Sequence, residues 1–133
     1  EELMEFVRNC RFDNVGVFTY SDEEGTPAYL LPNKVDPKVA ARRRTLLMKE
    51  QAKISKSLNK GKIGRTFPVI FEGLSQESDL LFQGRLAGQA QEIDGYILIN
   101  DMPEGFVPNI GDIYNVKITE AHAYDLIGEI VVA

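Results

Sequence analysis

The sequence predicts an α+β fragment of three parts: a terminal helix–strand unit of an α/β barrel, a long linker helix, and a five-stranded antiparallel OB-like β-barrel. Two patterns predict this order. Apolar residues recur at helical spacing in residues 1–9 and 37–59. From residue 67 onward they alternate with polar residues, which is typical of half-buried strands. The predicted segment bounds are 1–32, 33–61 and 62–133.

The first segment combines one helix with one strand. The helix, residues 1–9, carries an apolar face whose spacing continues to Cys10. The strand, residues 15–20, is apolar enough to be buried on both faces of a sheet. An isolated strand is marginal in water, and no second strand of this kind precedes residue 67. We therefore expect residues 1–32 to be the end of a larger α/β domain whose other strands are missing from this sequence.

The second segment is a basic helix. Asp36 suits the N-cap and Pro37 the first helical position, and Gly61 is a natural stop. Against the single acid Glu50, the helix carries eight cations: Lys38, Arg42, Arg43, Arg44, Lys49, Lys53, Lys56 and Lys60. Such a charge run is either a solvated face or a surface that contacts RNA or anionic lipid.

The third segment contains five short runs of strand-forming residues with turn residues between them. The predicted runs are 67–71, 80–86, 96–100, 113–119 and 126–132. No stretch between them is long enough for a crossover helix. A closed antiparallel barrel is favoured because closure removes the edges that so small a domain could not otherwise cover.

Charge separates the two halves of the chain. The net charge of −5 divides into +2 over residues 1–61 and −7 over residues 62–133. Proteins that bind nucleic acid neutralise phosphates with basic residues, so direct RNA binding by the acidic half is disfavoured. That half suits a basic protein partner, or its acidity serves only solubility.

Cysteine and histidine content limits the chemistry. Cys10 and His122 are the only residues of their types, and they cannot build a zinc or iron–sulfur site unaided. The single cysteine forms no internal disulfide, which favours a reducing cytoplasm. No apolar run approaches the ~20 residues of a membrane span. We interpret His122 as structural, because no nucleophile is evident beside it.

Several motifs together resemble the radical-SAM methylthiotransferases. Residues 17–28 (VFTYSDEEGTPA) are similar to the last barrel segment of that family. The helix with Arg42-Arg43-Arg44, followed by Gly64-Arg65-Thr66, is similar to its linker into the TRAM domain. The TRAM region of the ribosomal-protein branch, called RimO, is resembled by Gly84-Arg85, residues 92–95 (EIDG), Gly111-Asp112 and residues 124–129 (YDLIGE).

The resemblance implies more than this chain can perform alone. Full-length members hold two 4Fe-4S clusters on cysteines that are absent here, and they use S-adenosyl-L-methionine (SAM) both as radical source and as methyl donor. The ribosomal-protein branch methylthiolates an aspartate of the twelfth small-subunit ribosomal protein. We therefore expect the fragment to be catalytically inert, to hold no metal, and to supply substrate recognition.

The resemblance also assigns candidate site residues. Phe18, Thr19, Tyr20 and Ser21 would line the SAM side of the barrel. Within the acidic half, Glu92 and Asp94 are the candidate contacts for the basic ribosomal protein. Two alternatives stay open: a tRNA methylthiotransferase of the same superfamily, and a stand-alone RNA-binding β-barrel whose basic helix contacts phosphates.

Overall fold

A computed structural model of the chain describes residues 1–90 and 95–132. It contains two α-helices, one short 3-10 helix and five strands. These are α1 (Glu2–Cys10), the 3-10 helix (Pro27–Leu30), α2 (Pro37–Lys60), β1 (Thr66–Leu74), β2 (Phe82–Arg85), β3 (Ile97–Asp101), β4 (Ile113–Ala121) and β5 (Leu126–Ile130). The chain forms two compact units, Glu1–Ile54 and a second one from Ser55 onward. The three segments drawn from the sequence remain a prediction.

The first unit is organised by polar contacts between α1, the segment that follows it, and α2. The Arg8 guanidinium lies 3.0 Å from the Glu50 carboxylate, and the Gln51 side-chain amide donates a 2.7 Å hydrogen bond to the Phe12 carbonyl. Val7 is buried in this unit. The predicted N-cap is confirmed, since Asp36 accepts a 2.8 Å hydrogen bond from the backbone N–H of Lys38. Among the described helices, none has both the length and the hydropathy of a membrane span.

The strand predicted at residues 15–20 is wrong as an element of this structure. These residues belong to no strand among the described parts of the chain. The physical reason is that a strand is stabilised by backbone hydrogen bonds to a neighbouring strand, and residues 15–20 have no such neighbour among the described residues. The Val17 carbonyl of this segment instead accepts a 2.8 Å hydrogen bond from Nε of the Arg44 side chain.

The second unit confirms the predicted five-stranded, OB-like barrel. Its strands close in the order β1-β2-β3-β5-β4, and β4 returns to pair with β1. The sequence analysis described the barrel as antiparallel throughout, whereas β3 and β5 run parallel. An odd number of strands cannot alternate direction around a closed ring, so at least one neighbouring pair must be parallel. In this barrel the parallel pair is β3 and β5, in which Leu98 lies opposite Ile127.

The barrel core is built from the alternate residues that the period-two pattern selected. Its buried members are Val69, Phe71, Ile97, Ile99, Val116, Ile118, Leu126 and Ile130. The predicted runs overlap all five strands, but their ends differ. The second strand begins at Phe82 and not at residue 80, because the chain first closes a turn in which Ser75 N–H donates to the Leu81 carbonyl. That turn leaves Leu80 outside the sheet.

Candidate functional site

The barrel has two ends, and the connections at one of them form the candidate site. There β1 and β3 finish while β2 and β4 begin, with Leu74 opposite Phe82 and Ile70 opposite Ile113. We call this the loop end and define it as residues 74–82 and 101–113. The opposite end carries the β2–β3 and β4–β5 connections.

The loop end exposes aliphatic side chains. The exposed fractions are 90% for Leu80, 80% for Val107, 75% for Ile110, 63% for Ile113 and 57% for Leu74. A single exposed aliphatic residue needs no explanation, but five at one end of a small barrel, three of them on its two connections and two at strand ends, indicate an interaction surface.

One of these side chains, that of Ile110, lies close to Gly73 at the end of β1. Gly73 has a φ of +99°, and a Cβ at this position would lie 3.0 Å from Cδ1 of Ile110. A left-handed backbone with that little room favours glycine. The Ile110 side chain therefore lies close to the end of β1.

Aromatic rings close the barrel beneath this surface. The Phe106 ring meets the Tyr114 ring edge-on with centroids 5.3 Å apart, and Phe71 contacts both Tyr114 and Phe82. The four rings pack against the core and leave aliphatic residues as the exposed ones. Single-stranded nucleic acids bind by stacking bases on accessible aromatic rings. The loop end thus lacks the exposed stacking surface of such proteins and presents an aliphatic one.

All the charged side chains on the same connections are acidic. They carry the exposed residues Glu77, Asp79, Asp101, Glu104 and Asp112, of which Glu77 is bonded to the Tyr96 hydroxyl ahead of β3. Neither 73–84 nor 101–116 contains a lysine or arginine. Asp112 also orders its loop, because its Oδ2 lies 3.4 Å from the Tyr114 hydroxyl and 3.4 Å from the Asn109 amide nitrogen. Unneutralised carboxylates around aliphatic side chains favour a partner with both cationic and apolar groups.

The predicted partner contacts are not among these residues. Glu92 and Asp94 lie outside the described residues, so their assignment stays a prediction. The loop-end surface was missed by sequence reasoning. A signal for it exists: Leu80, Val107 and Ile110 are large apolar residues inside turn-rich segments that hold acids and no bases.

Two titratable groups are perturbed on the barrel. A hydrogen bond from the Tyr96 hydroxyl to Glu77 raises the pKa of Tyr96 to about 12. Burial raises the pKa of Asp125 above its usual range. His122 donates a 2.8 Å backbone hydrogen bond to the Asp125 carbonyl; its Nε2 is 3.2 Å from the Glu120 carboxylate, and its own carbonyl accepts a 2.9 Å hydrogen bond from the Asn59 amide.

The four residues assigned to SAM lie around two neighbouring depressions of the first unit. Phe18, Thr19 and Ser21 line one of about 560 Å³, and Thr19 and Tyr20 line another of about 500 Å³. Phe18 is 90% exposed, so its ring is available to a planar ligand. The side chains of Thr19 and Ser21 line the same depression as this ring.

The Tyr20 ring is already engaged by neighbouring side chains. Its hydroxyl donates a 2.9 Å hydrogen bond to Asp22, and the Lys34 ammonium lies 5.1 Å from the ring centroid. Lys34 also lies 3.3 Å from the Asp22 carboxylate. The Tyr20 side chain is therefore fixed by its neighbours, whereas the Phe18 ring is exposed to solvent.

The residues described here do not suit an iron–sulfur cluster. Cys10 is free and exposed. In the described ranges, 1–90 and 95–132, no three His, Cys, Asp or Glu side chains come together as metal ligands. Cluster ligands need several thiolates in one place.

Comparison with known proteins gives one family and a consistent set of relatives. The family model of the TRAM domain matches residues 63–131. Over 128 residues, 96% of this chain, the sequence is 48% identical to the ribosomal protein uS12 methylthiotransferase RimO of Solibacter usitatus. Over 132 residues, 99% of the chain, it is 47% identical to the protein of the same name from Bdellovibrio bacteriovorus. The resemblance to RimO-type proteins is thereby confirmed. The chain spans 27% and 28% of these two relatives' length.

Proposed function

Since the chain belongs to the TRAM domain family through residues 63–131, we propose that its barrel recognises a basic ribosomal protein on behalf of a methylthiotransferase. The protein recognised is ribosomal protein uS12, which the names of the relatives give as their substrate. The aliphatic and acidic loop end is the surface that binds it. The single observation carrying the proposal is the pairing of exposed aliphatic residues with unneutralised carboxylates on those two connections.

Charge and shape support a protein partner over a nucleic acid at this surface. A cationic protein gains from the acidic field during approach, whereas phosphate is repelled by it. Aliphatic side chains give a protein segment an apolar contact that they cannot give to a stacked base. The proposal accordingly disfavours RNA at the loop end.

In the whole enzyme the first unit would serve the cofactor. We propose that Phe18, Thr19, Tyr20 and Ser21 line the adenosine side of bound SAM, with Phe18 offering its exposed ring. SAM would supply the radical and methyl chemistry when bound. The iron–sulfur clusters would be held elsewhere, by cysteines that this chain does not contain.

Binding of the 133-residue chain to purified uS12 tests the proposal. Surface plasmon resonance should give an affinity that weakens as salt rises, because exposed charges are screened as the Debye length falls from ~10 Å at 0.1 M to ~3 Å at 1 M. The variant Asp79→Lys/Glu104→Lys should slow association more than it speeds dissociation. The matched control is Glu23→Lys/Glu24→Lys, which changes net charge equally on exposed residues of the first unit.

Absence of measurable uS12 binding would overturn the proposal. RNA binding without uS12 binding, unchanged by the loop-end variant, would support the stand-alone RNA-binding alternative, in which the basic helix contacts phosphates. Binding of tRNA in place of uS12 would favour the tRNA methylthiotransferase.

A further inference from the structure

Helix α2 arranges part of its positive charge in a line. Successive residues of an α-helix are turned by about 100°. Counted that way, Lys38, Arg42, Lys49 and Lys53 of the first unit fall within a sector of about 60° and extend over about 22 Å of helix, and Lys56 and Lys60 continue the same line beyond them. All four are exposed. We call these four residues the cationic stripe.

The arginine triplet does not act as one group. Consecutive residues point in different directions, so Arg42 joins the stripe while Arg43 and Arg44 leave it. Arg44 is committed to the Val17 carbonyl through its 2.8 Å hydrogen bond. Only Arg42 of the three therefore contributes to the line of charge.

The stripe is not neutralised by acids of its own helix. The single acid of α2, Glu50, is turned about 90° from the centre of the stripe and lies 3.0 Å from Arg8. Among the described residues, the four stripe cations take part in no ion pair with Asp or Glu. Four like charges that repel one another on one face are a cost to the helix, which a bound polyanion would relieve.

The rest of the helix argues against a membrane as that polyanion. An amphipathic helix that binds a bilayer inserts its apolar face beneath the headgroups. The apolar face of α2 is occupied within the protein, since Leu47 and Ile54 are buried on the side away from the stripe. A polyanion that needs only surface contact suits this arrangement, and the phosphate backbone of RNA offers regularly spaced anions along a rod.

We propose that the cationic stripe of α2 binds the phosphate backbone of RNA without sequence preference. The site is separate from the acidic loop end and does not depend on uS12 recognition. Each lysine or arginine contacts a phosphate, so affinity comes from counterion release and falls steeply with salt. The stripe has no group arranged to read bases.

Fluorescence anisotropy with a labelled RNA duplex two helical turns long tests this proposal on the 133-residue chain. Affinity is measured between about 50 and about 200 mM salt for the chain and for two double variants. Lys49→Gln/Lys53→Gln removes two stripe charges. Arg43→Gln/Lys117→Gln removes two exposed charges off the stripe and is the matched control.

The stripe variant should bind the duplex roughly tenfold more weakly at the lower salt, and its slope of log affinity against log salt should be smaller by about 2. The control should keep both values near those of the unaltered chain. Equal losses in the two variants, or no duplex binding by the unaltered chain, would overturn the proposal. So would binding to phosphatidylserine vesicles in the absence of duplex binding.

Discussion

The carbonyl oxygen of Tyr124 lies 1.6 Å from the point that a Cβ on Gly95 would occupy. No side chain fits there, because the obstacle is backbone and cannot rotate away. The contact brings the residues just before β3 and β5 together, where Leu126 N–H also donates to the Tyr96 carbonyl. The start of the parallel pair therefore depends on a residue without a side chain.

Gly95→Ala should destabilise the barrel by about 2–3 kcal/mol, since the two backbones must separate to admit a methyl group. Urea unfolding followed by circular dichroism measures the loss. The control is Gly88→Ala, where a Cβ meets nothing within 4 Å; its free energy of unfolding should change by less than about 0.5 kcal/mol. An unaltered Gly95→Ala midpoint would contradict the described contact.

Ionisation of Tyr96 should destabilise the barrel at high pH. Its pKa of about 12 in the folded chain exceeds the ordinary tyrosine value of 10.0, so the neutral phenol stabilises the fold fully below pH 10. That contribution should be lost as pH rises from 10 through 12. The difference in ultraviolet titration between the chain and Tyr96→Phe isolates this group. Glu77→Gln should lower the pKa of Tyr96; an unchanged titration would show that Glu77 is not its partner.

Ionisation of Asp125 should also destabilise the barrel, but at lower pH than ionisation of Tyr96. Burial raises its pKa in the folded chain, so its contribution to stability is largest when it is protonated and falls as pH rises through that pKa. Asp125→Asn should consequently raise the melting temperature at pH 7 more than at pH 3. The control Asp79→Asn changes an exposed carboxylate and should show a smaller difference. A lower melting temperature for Asp125→Asn at pH 7 would contradict this account.

The aliphatic part of the loop end should determine how long uS12 stays bound. Val107→Ser/Ile110→Ser removes two exposed apolar side chains and should speed dissociation about tenfold or more, with a small change in association. The matched control is Ile63→Ser/Tyr124→Ser, two exposed apolar residues outside the loop end. If uS12 binds both variants alike, charge alone accounts for recognition.

Amide hydrogen exchange should be slow in the paired strands of the barrel and fast in residues 15–20. Amides in residues 67–71 and 113–118 lie in paired strands and should exchange slowly. Amides in residues 15–20 belong to no strand and should exchange fast. Equal protection in a verified monomer would mean that residues 15–20 are hydrogen-bonded after all.

Local patterns were enough to predict much of the barrel. Val69 and Phe71, like Val116 and Ile118, alternate because one face of each strand is buried, and that alternation can be read from the chain. The parallel pair could not be read in this way, because it follows from ring closure and not from any local pattern. The strand predicted at residues 15–20 was wrong, because apolar composition does not show whether a neighbouring strand is present to pair with it.

The candidate site depended still more on long-range structure. Leu80 and Ile110 belong to the same end only because β1 pairs with both β2 and β4. The alignment of the stripe of α2 follows from helical spacing, and the structure adds that its four residues are exposed and that Arg44 is bonded to the Val17 carbonyl. The four residues near SAM were assigned by resemblance, and the structure adds only their common position beside two depressions.

Placing β5 between β3 and β4 makes it the closing strand during synthesis of the barrel. While β1 to β4 emerge from the ribosome, β3 and β4 each keep an unpaired edge, because β5 is the neighbour of both. Open edges are templates for pairing with other chains. Any truncation or slow translation that delays residues 126–130 should expose two such edges at once, so completion of the barrel is a step at which this protein is vulnerable to aggregation and to capture by chaperones.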